Sequence, residues 1–296
     1  MATSAQDSIS KVENDGRRPG VASRILPFFI FLCCGLLLFE PPFFAFNSAS
    51  KPFQVATFIG IPLLFSAMAM LARRNRRFID YLPALNSFVM VSVGLLLMWL
   101  VDDFPRRWLN LDPKGPPGRA TIKVTDAVIL LLTVIILGKL LRVDFDSIYL
   151  RKGRKPLLGL AIGLAGFAIM AAFAFLEAQS MGISTSQLLG WTPWILSFVL
   201  ANGFFEELMY RGLFLKKFEP LLGAFLSNFL IAFVFAIGHA GVTYSADVAV
   251  FVAITFALAL IWGYLMQKTG SLWGSALFHA GADTLIIIGL FSGIKT

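Results

Sequence analysis

Residues 157–176 read LLGLAIGLAGFAIMAAFAFL, twenty positions without a charge, preceded by Arg151, Lys152, Arg154 and Lys155 and followed by Glu177. A helix of that length rises ~30 Å, the thickness of a bilayer's hydrocarbon core. A helix that is apolar on every side belongs in a large interior or in lipid, and the rest of the chain decides for lipid. Of its 296 residues 57% are hydrophobic and 14% charged, where soluble domains carry about 25% charged. Similar runs lie at roughly 25–39, 53–71, 81–101, 124–141, 192–214, 221–240, 246–267 and 271–291. The fold class is therefore all-α, a polytopic transmembrane helical bundle of about 8–9 spans. The first run is short and stops at Glu40-Pro41-Pro42, unless the stretch 43–46 extends it.

The net charge of +8 does not point to nucleic acid, because the basic residues sit in short clusters between the apolar runs. Such clusters report topology, since cytoplasmic loops are enriched in Lys and Arg. The tail with Arg17, Arg18 and Arg24, the 73–77 and 151–155 clusters, Lys216 with Lys217, and Lys268 would share one side. Loops 177–190 and 240–246 have no Lys or Arg. The amino terminus is expected in the cytoplasm and the carboxyl terminus outside. Loop 102–123 is the exception, holding Arg106, Arg107, Lys114, Arg119 and Lys123 on the side that should lack them. The adjacent Cys33 and Cys34 are read as packed or lipid-facing thiols, and the first helix as retained, since no small-residue cleavage site follows it. The expected division is a polar tail (1–24), amino-terminal transmembrane helices (25–156) and a transmembrane core (157–296). Gly159, Gly163 and Gly166 are read as a close-packing helix face. Lys139, Glu177 and Asp247 fall near helix ends, where interface contact or capping accounts for them.

Charge inside a span costs ~2.5–3.5 kcal/mol on insertion scales and marks a candidate site. Such residues gather in the last third: Glu206, Glu207 and Arg211 in the sixth run, His239 in the seventh, His279 and Asp283 in the ninth. The chain has no other histidine. On a helix Glu206 and Glu207 point about 100° apart, so one can face a cavity while the other meets a neighbour. Glu207 and Arg211 form an i, i+4 pair with the acid first, which assigns Arg211 to Glu207 and leaves Glu206 free. His279 and Asp283 share a face, as do Asn228, Phe235 and His239. On these run boundaries, however, Glu206 and His279 lie ~12 Å from the cytoplasmic edge and His239 ~27 Å. They converge only if residues 213–226 run along the interface, with Lys216 and Lys217 on it, and the seventh span begins near residue 227. One water-accessible cavity, open toward the cytoplasm, would then serve all three.

The order Glu206-Glu207-x-x-x-Arg211, Phe235-x-x-x-His239, His279-x-x-x-Asp283 resembles the three-motif pattern of the CAAX prenyl protease and bacteriocin-processing (abortive-infection-like) family of intramembrane glutamic proteases. The resemblance covers residues 190–291. It implies an endopeptidase acting on membrane-associated or hydrophobic peptides, in a multi-pass membrane protein of a bacterial cell membrane, without metal or other cofactor. Glu206 would be the general base, His239 would hold the attacking water, and His279 with Asp283 would stabilise the oxyanion. Glu207, Arg211 and Phe235 would support them. Asp283 stands where the archetype has Asn, so it must be protonated or must orient a charged His279.

Three other readings stand beside the enzyme. A non-catalytic membrane partner or immunity-type scaffold could use the same polar cluster to hold the bundle. A metal site could draw on Glu, His, His and Asp, though no H-E-x-x-H helix is present. Transport would call for repeats and paired broken helices that the sequence lacks. The expected partners are a membrane-associated substrate and the lipid bilayer.

Overall fold

The computed structural model describes residues 21–46, 50–241 and 247–293. The expectations for Arg17, Arg18 and most of loop 240–246 lie outside the described residues. The helices are α1 (Val21–Phe46), α2 (Lys51–Arg74), α3 (Leu82–Val101), a short α4 (Phe104–Trp108), α5 (Pro116–Leu140) and α6 (Pro156–Ser180). There follow α7 (Thr185–Glu206), a π-helical turn (Glu207–Gly212), α8 (Leu213–Leu222), α9 (Ala224–Gly238), α10 (Val248–Thr269) and α11 (Trp273–Ser292). Among the described residues eight stretches are long and apolar enough to cross a bilayer. α7, the π turn and α8 form one of them, 38 residues long, and α9 is a shorter apolar helix. The protein is a polytopic helical membrane bundle.

The first span does not stop at Glu40-Pro41-Pro42. α1 carries both prolines internally and runs on to Phe46. The missing proline N–H groups cost little near a helix end whose remaining carbonyls find other donors, as when Gln54 Nε2 donates to Ala45 O (3.1 Å). Apolar side chains such as Leu63, Leu71, Leu132 and Leu157 stay more than half exposed on the outer faces, where lipid is their natural solvent. The interior is dense with aromatic rings: Phe31 stacks on Phe218 at 4.2 Å and Phe65 on Phe88 at 4.8 Å.

The glycine face behaves as expected. A Cβ on Gly163 would lie 2.6 Å from Gly274 O, and one on Gly274 only 2.3 Å from Gly159 O. α6 and α11 therefore touch backbone to backbone, which fixes the helix carrying His279 and Asp283. Glu177 falls in the last turn of α6 and Lys139 in that of α5. Asp247 caps α10, accepting from Val250 N at 3.1 Å.

Arg24, Arg154 and Lys216, from three of the basic clusters, gather at one end of the bundle. Arg24 reaches Leu222 O, Arg154 reaches Gln267 O, and Lys216 reaches Asp146 O. The start of α5, with Arg119, lies at the opposite end beside Leu290 of α11. Loop 102–123 thus remains the exception to charge segregation.

Residues 213–222 pack into the bundle: Leu213, Phe214, Leu215, Phe218 and Leu222 are all buried. Lys217 is buried as well and donates to Ser147 O at 2.8 Å, while Lys216 lies over the Tyr149 ring at 4.4 Å. The depth conflict resolves by symmetry. The chain reverses at Gly223, whose φ of 83° is a backbone state open to glycine. Glu206 precedes that turn, and His239 follows it, by about sixteen residues, or ~24 Å of helix each. The two end level.

Candidate active site

The centre of the site is the π turn that continues α7. All six of its residues, from Glu207 to Gly212, are buried, and single π turns within α-helices recur at functional sites. Glu207 is fully buried and receives Arg211 Nη1 at 2.5 Å. Its other partners are His279 Nδ1 at 2.9 Å and Ser275 Oγ at 2.9 Å. Ser275 Oγ also lies 2.7 Å from Trp262 O, so its single proton serves one acceptor at a time. Arg211 is held further by Ala259 O at 3.3 Å. Its guanidinium lies over Phe235 (4.6 Å) and Trp262 (5.4 Å), a cation–π arrangement suited to a buried charge.

Glu206 points elsewhere. Its side chain keeps 14% exposure and lines a cavity. Between Glu206 and Asp283 sits His279, whose Nε2 is 3.4 Å from Glu206 Oε2 and 3.6 Å from Asp283 Oδ1. The imidazole is stacked on Trp262 at 3.9 Å with a 10° tilt, and its edge is closed by Phe235. Asp283 is anchored from the far side by Asn202 Nδ2 at 3.0 Å. A carboxylate that accepts from Asn202 through Oδ2 has Oδ1 left for the cavity.

His239 caps the end of α9, its Nδ1 against Phe235 O at 2.8 Å and its ring 4.5 Å from that of Phe235. It lines the same cavity of about 450 Å³ as Glu206 and Asp283, together with Asn202, Tyr210 and Gly238. A second cavity of about 370 Å³ is lined by His239, His279 and Asp283. His239 and Asp283 therefore line both cavities, Glu206 the first and His279 the second, with Glu207 and Arg211 buried behind them and Phe235 in the wall of the second. Asn228, Phe235 and His239 all face α10, as expected of one helix face: the Asn228 amide donates to Leu260 O (2.9 Å) and packs on Gly263, Phe235 lies against Trp262 and His239 against Phe251.

Phe43, Arg119 and Leu290 line the cavity, and they belong to the ends of α1, α5 and α11 that lie away from the 151–155 cluster. The short α9 stops at Gly238, which leaves His239 at its C-terminal end, in the cavity wall. Residues from both halves of the chain build it.

Sequence reasoning missed several contributors. Asn202 was readable as a polar residue one turn before Glu206, and Ser275 as one turn before His279. Trp262 had no signal, since an aromatic in an apolar span is ordinary. Glu40, treated as a helix stop, has a buried Oε1 beside Gly238. Among the described residues no group of three or more His, Cys, Asp or Glu side chains is arranged to hold a metal ion.

This constellation of two adjacent glutamates, a distant histidine and a His-x-x-x-Asp helix falls within residues 188–285, which match the family model for Rce1-like, type II CAAX prenyl endopeptidase Rce1-like. Over this third of its length the chain is similar to CAAX proteases. Every candidate residue from Glu206 to Asp283 lies inside the matched segment, whereas α1 to α6 lie before it. No curated protein and no solved structure matches the chain. That similarity supports protease activity in general, in an integral multi-pass protein.

Proposed function

We propose that the protein is an intramembrane glutamic endopeptidase that hydrolyses peptide bonds of membrane-associated or hydrophobic substrates with a water activated by Glu206. The observation that carries this is His279 Nε2 lying between Glu206 Oε2 and Asp283 Oδ1, at a cavity that His239 also lines. Water held by His239 and Glu206 gives its proton to the Glu206 carboxylate as its oxygen attacks the scissile carbonyl. The carbonyl oxygen gains negative charge and would be met by Nε2–H of a charged His279, the form that also donates Nδ1–H to Glu207. The proton then passes from Glu206 to the leaving amine as the C–N bond breaks. Glu207 accepts from Nδ1, so the ring presents Nε2 in a fixed orientation, and Trp262 prevents it from turning. Donors of this kind in a site shielded from water contribute ~3–4 kcal/mol each. Asp283 serves by orienting a charged His279 or, when protonated, by donating through Oδ1.

A scaffold needs neither the cavity nor a glutamate left half-satisfied beside it. The test is Glu206→Gln, which keeps the shape and cannot act as a base. Cleavage of hydrophobic peptides in reconstituted membranes is expected to fall at least about a hundredfold while insertion and thermal stability stay unchanged. Retention of most turnover refutes the mechanism.

A further inference from the structure

At the end of the bundle where Arg24, Arg154 and Lys216 gather, a cavity of about 730 Å³ lies between the 151–154 loop, α8 and the end of α10. It shares no residue with the two cavities of the candidate active site. Arg151, Lys152, Arg154 and Lys216 line it, against the carboxylates of Asp146 and Glu219. Asp146 is already held by Arg151 at 2.7 Å. Lys216 donates to Asp146 O and lies over the Tyr149 ring at 4.4 Å, which leaves further ammonium protons. Arg154 makes one long contact, Nη2 to Gln267 O at 3.4 Å, and Lys152 has no ion pair among the described residues. Three cations thus share the space with one carboxylate outside the Arg151 pair.

The loop that presents them is fixed by its backbone. Arg154 N and Lys155 N both donate to Thr269 O, at 2.7 and 3.2 Å, and Leu272 N donates to Tyr149 O at 3.1 Å. A Cβ on Gly153 would lie 2.6 Å from Thr269 O, so loop and turn are in direct contact. Below the cavity the surface becomes apolar at once: Leu157 and Leu158 on α6, and Ile261 and Tyr264 on α10, are all exposed. A soluble anion would need the cations alone, whereas a basic cavity continued by exposed apolar helix faces suits a phosphate that carries acyl chains. The excess of positive charge favours a headgroup with net negative charge over a choline headgroup, which brings its own cation.

We infer that this cavity binds the headgroup phosphate of an anionic phospholipid, with Lys152, Arg154 and Lys216 as its donors and the acyl chains on the α6 and α10 faces. The same loop is bonded to the turn that opens α11, so a bound lipid braces the helix carrying His279 and Asp283. The site does not depend on the peptidase reading.

Lipid binding to the full-length, detergent-solubilised protein tests it. Native mass spectrometry with dioleoyl phosphatidylglycerol in competition with dioleoyl phosphatidylcholine should show the former bound at least about tenfold tighter, each cation near the headgroup giving about fivefold. Lys152→Gln alone should lower that preference about fivefold. Lys152→Gln with Arg154→Gln should erase it and leave phosphatidylcholine binding unchanged, while Lys152→Arg with Arg154→Lys should retain most of it. Arg73→Gln with Arg74→Gln, an equal loss of charge in another basic cluster, should leave it intact. The thermal midpoint of the parent should rise with phosphatidylglycerol, and that of the Lys152/Arg154 double variant should not. No preference in the parent, a preference that survives the double change, or an equal loss in the Arg73/Arg74 control overturns the site. Inorganic phosphate that raises the midpoint as much as phosphatidylglycerol does assigns the cavity to a soluble anion and overturns the lipid.

Discussion

Arg211→Met removes the cation from a pair in which both side chains are fully buried. Breaking a buried ion pair from one side costs about 3–5 kcal/mol, because it leaves a charge without a partner. Glu207 would keep its contacts with Ser275 and His279, which places the loss near the lower end, about 3 kcal/mol. At roughly 2–4 °C per kcal/mol for a chain of this size class, the midpoint should fall by about 6–12 °C. The assay is thermal unfolding of detergent-solubilised protein, read by size-exclusion or intrinsic fluorescence. Arg151→Met is the control, since its 2.7 Å pair with Asp146 is 63% and 47% exposed and such pairs are worth at most about 1 kcal/mol. Glu207→Gln combined with Arg211→Met should be less destabilised than Arg211→Met alone. An Arg211→Met midpoint within about 2 °C of the parent, or a combined variant worse than the single one, refutes the buried-pair reasoning.

Gly274→Ala places a Cβ 2.3 Å from Gly159 O, so α6 and α11 must separate at a cost of about 1–3 kcal/mol; the midpoint and the cleavage rate should fall together. Asp283→Asn keeps the hydrogen bond to Asn202 and can donate from its amide, so its rate should stay within about tenfold of wild type, whereas Asp283→Ala should lose about a hundredfold or more. A rate for Asp283→Ala equal to that of Asp283→Asn would remove Asp283 from the mechanism. Exhaustive chelation, with elemental analysis of the purified protein, should leave peptide cleavage intact; a stoichiometric metal whose removal abolishes turnover would reassign the chemistry to metal-assisted hydrolysis.

Much of this was written in one dimension. The apolar runs are long because lipid imposes a minimum helix length, so the bundle and nearly all its helices could be read from hydropathy. The motif residues stood out for the same reason, since ionisable groups are costly in a span and few in this chain. Helical periodicity sufficed to pair Glu207 with Arg211, because that contact is local. What the sequence left undetermined depends on distances between helices. Its run boundaries placed His239 too deep, and only the reversal at Gly223, between α8 and α9, brought His239 level with Glu206. The stacking of Trp262 on His279 and the grip of Asn202 on Asp283 join residues 17 to 81 positions apart, for which no local pattern exists. The walls of the cavity were beyond the sequence too: charge clusters mark which loops lie together, but Phe43, Arg119 and Leu290 meet there from three distant segments.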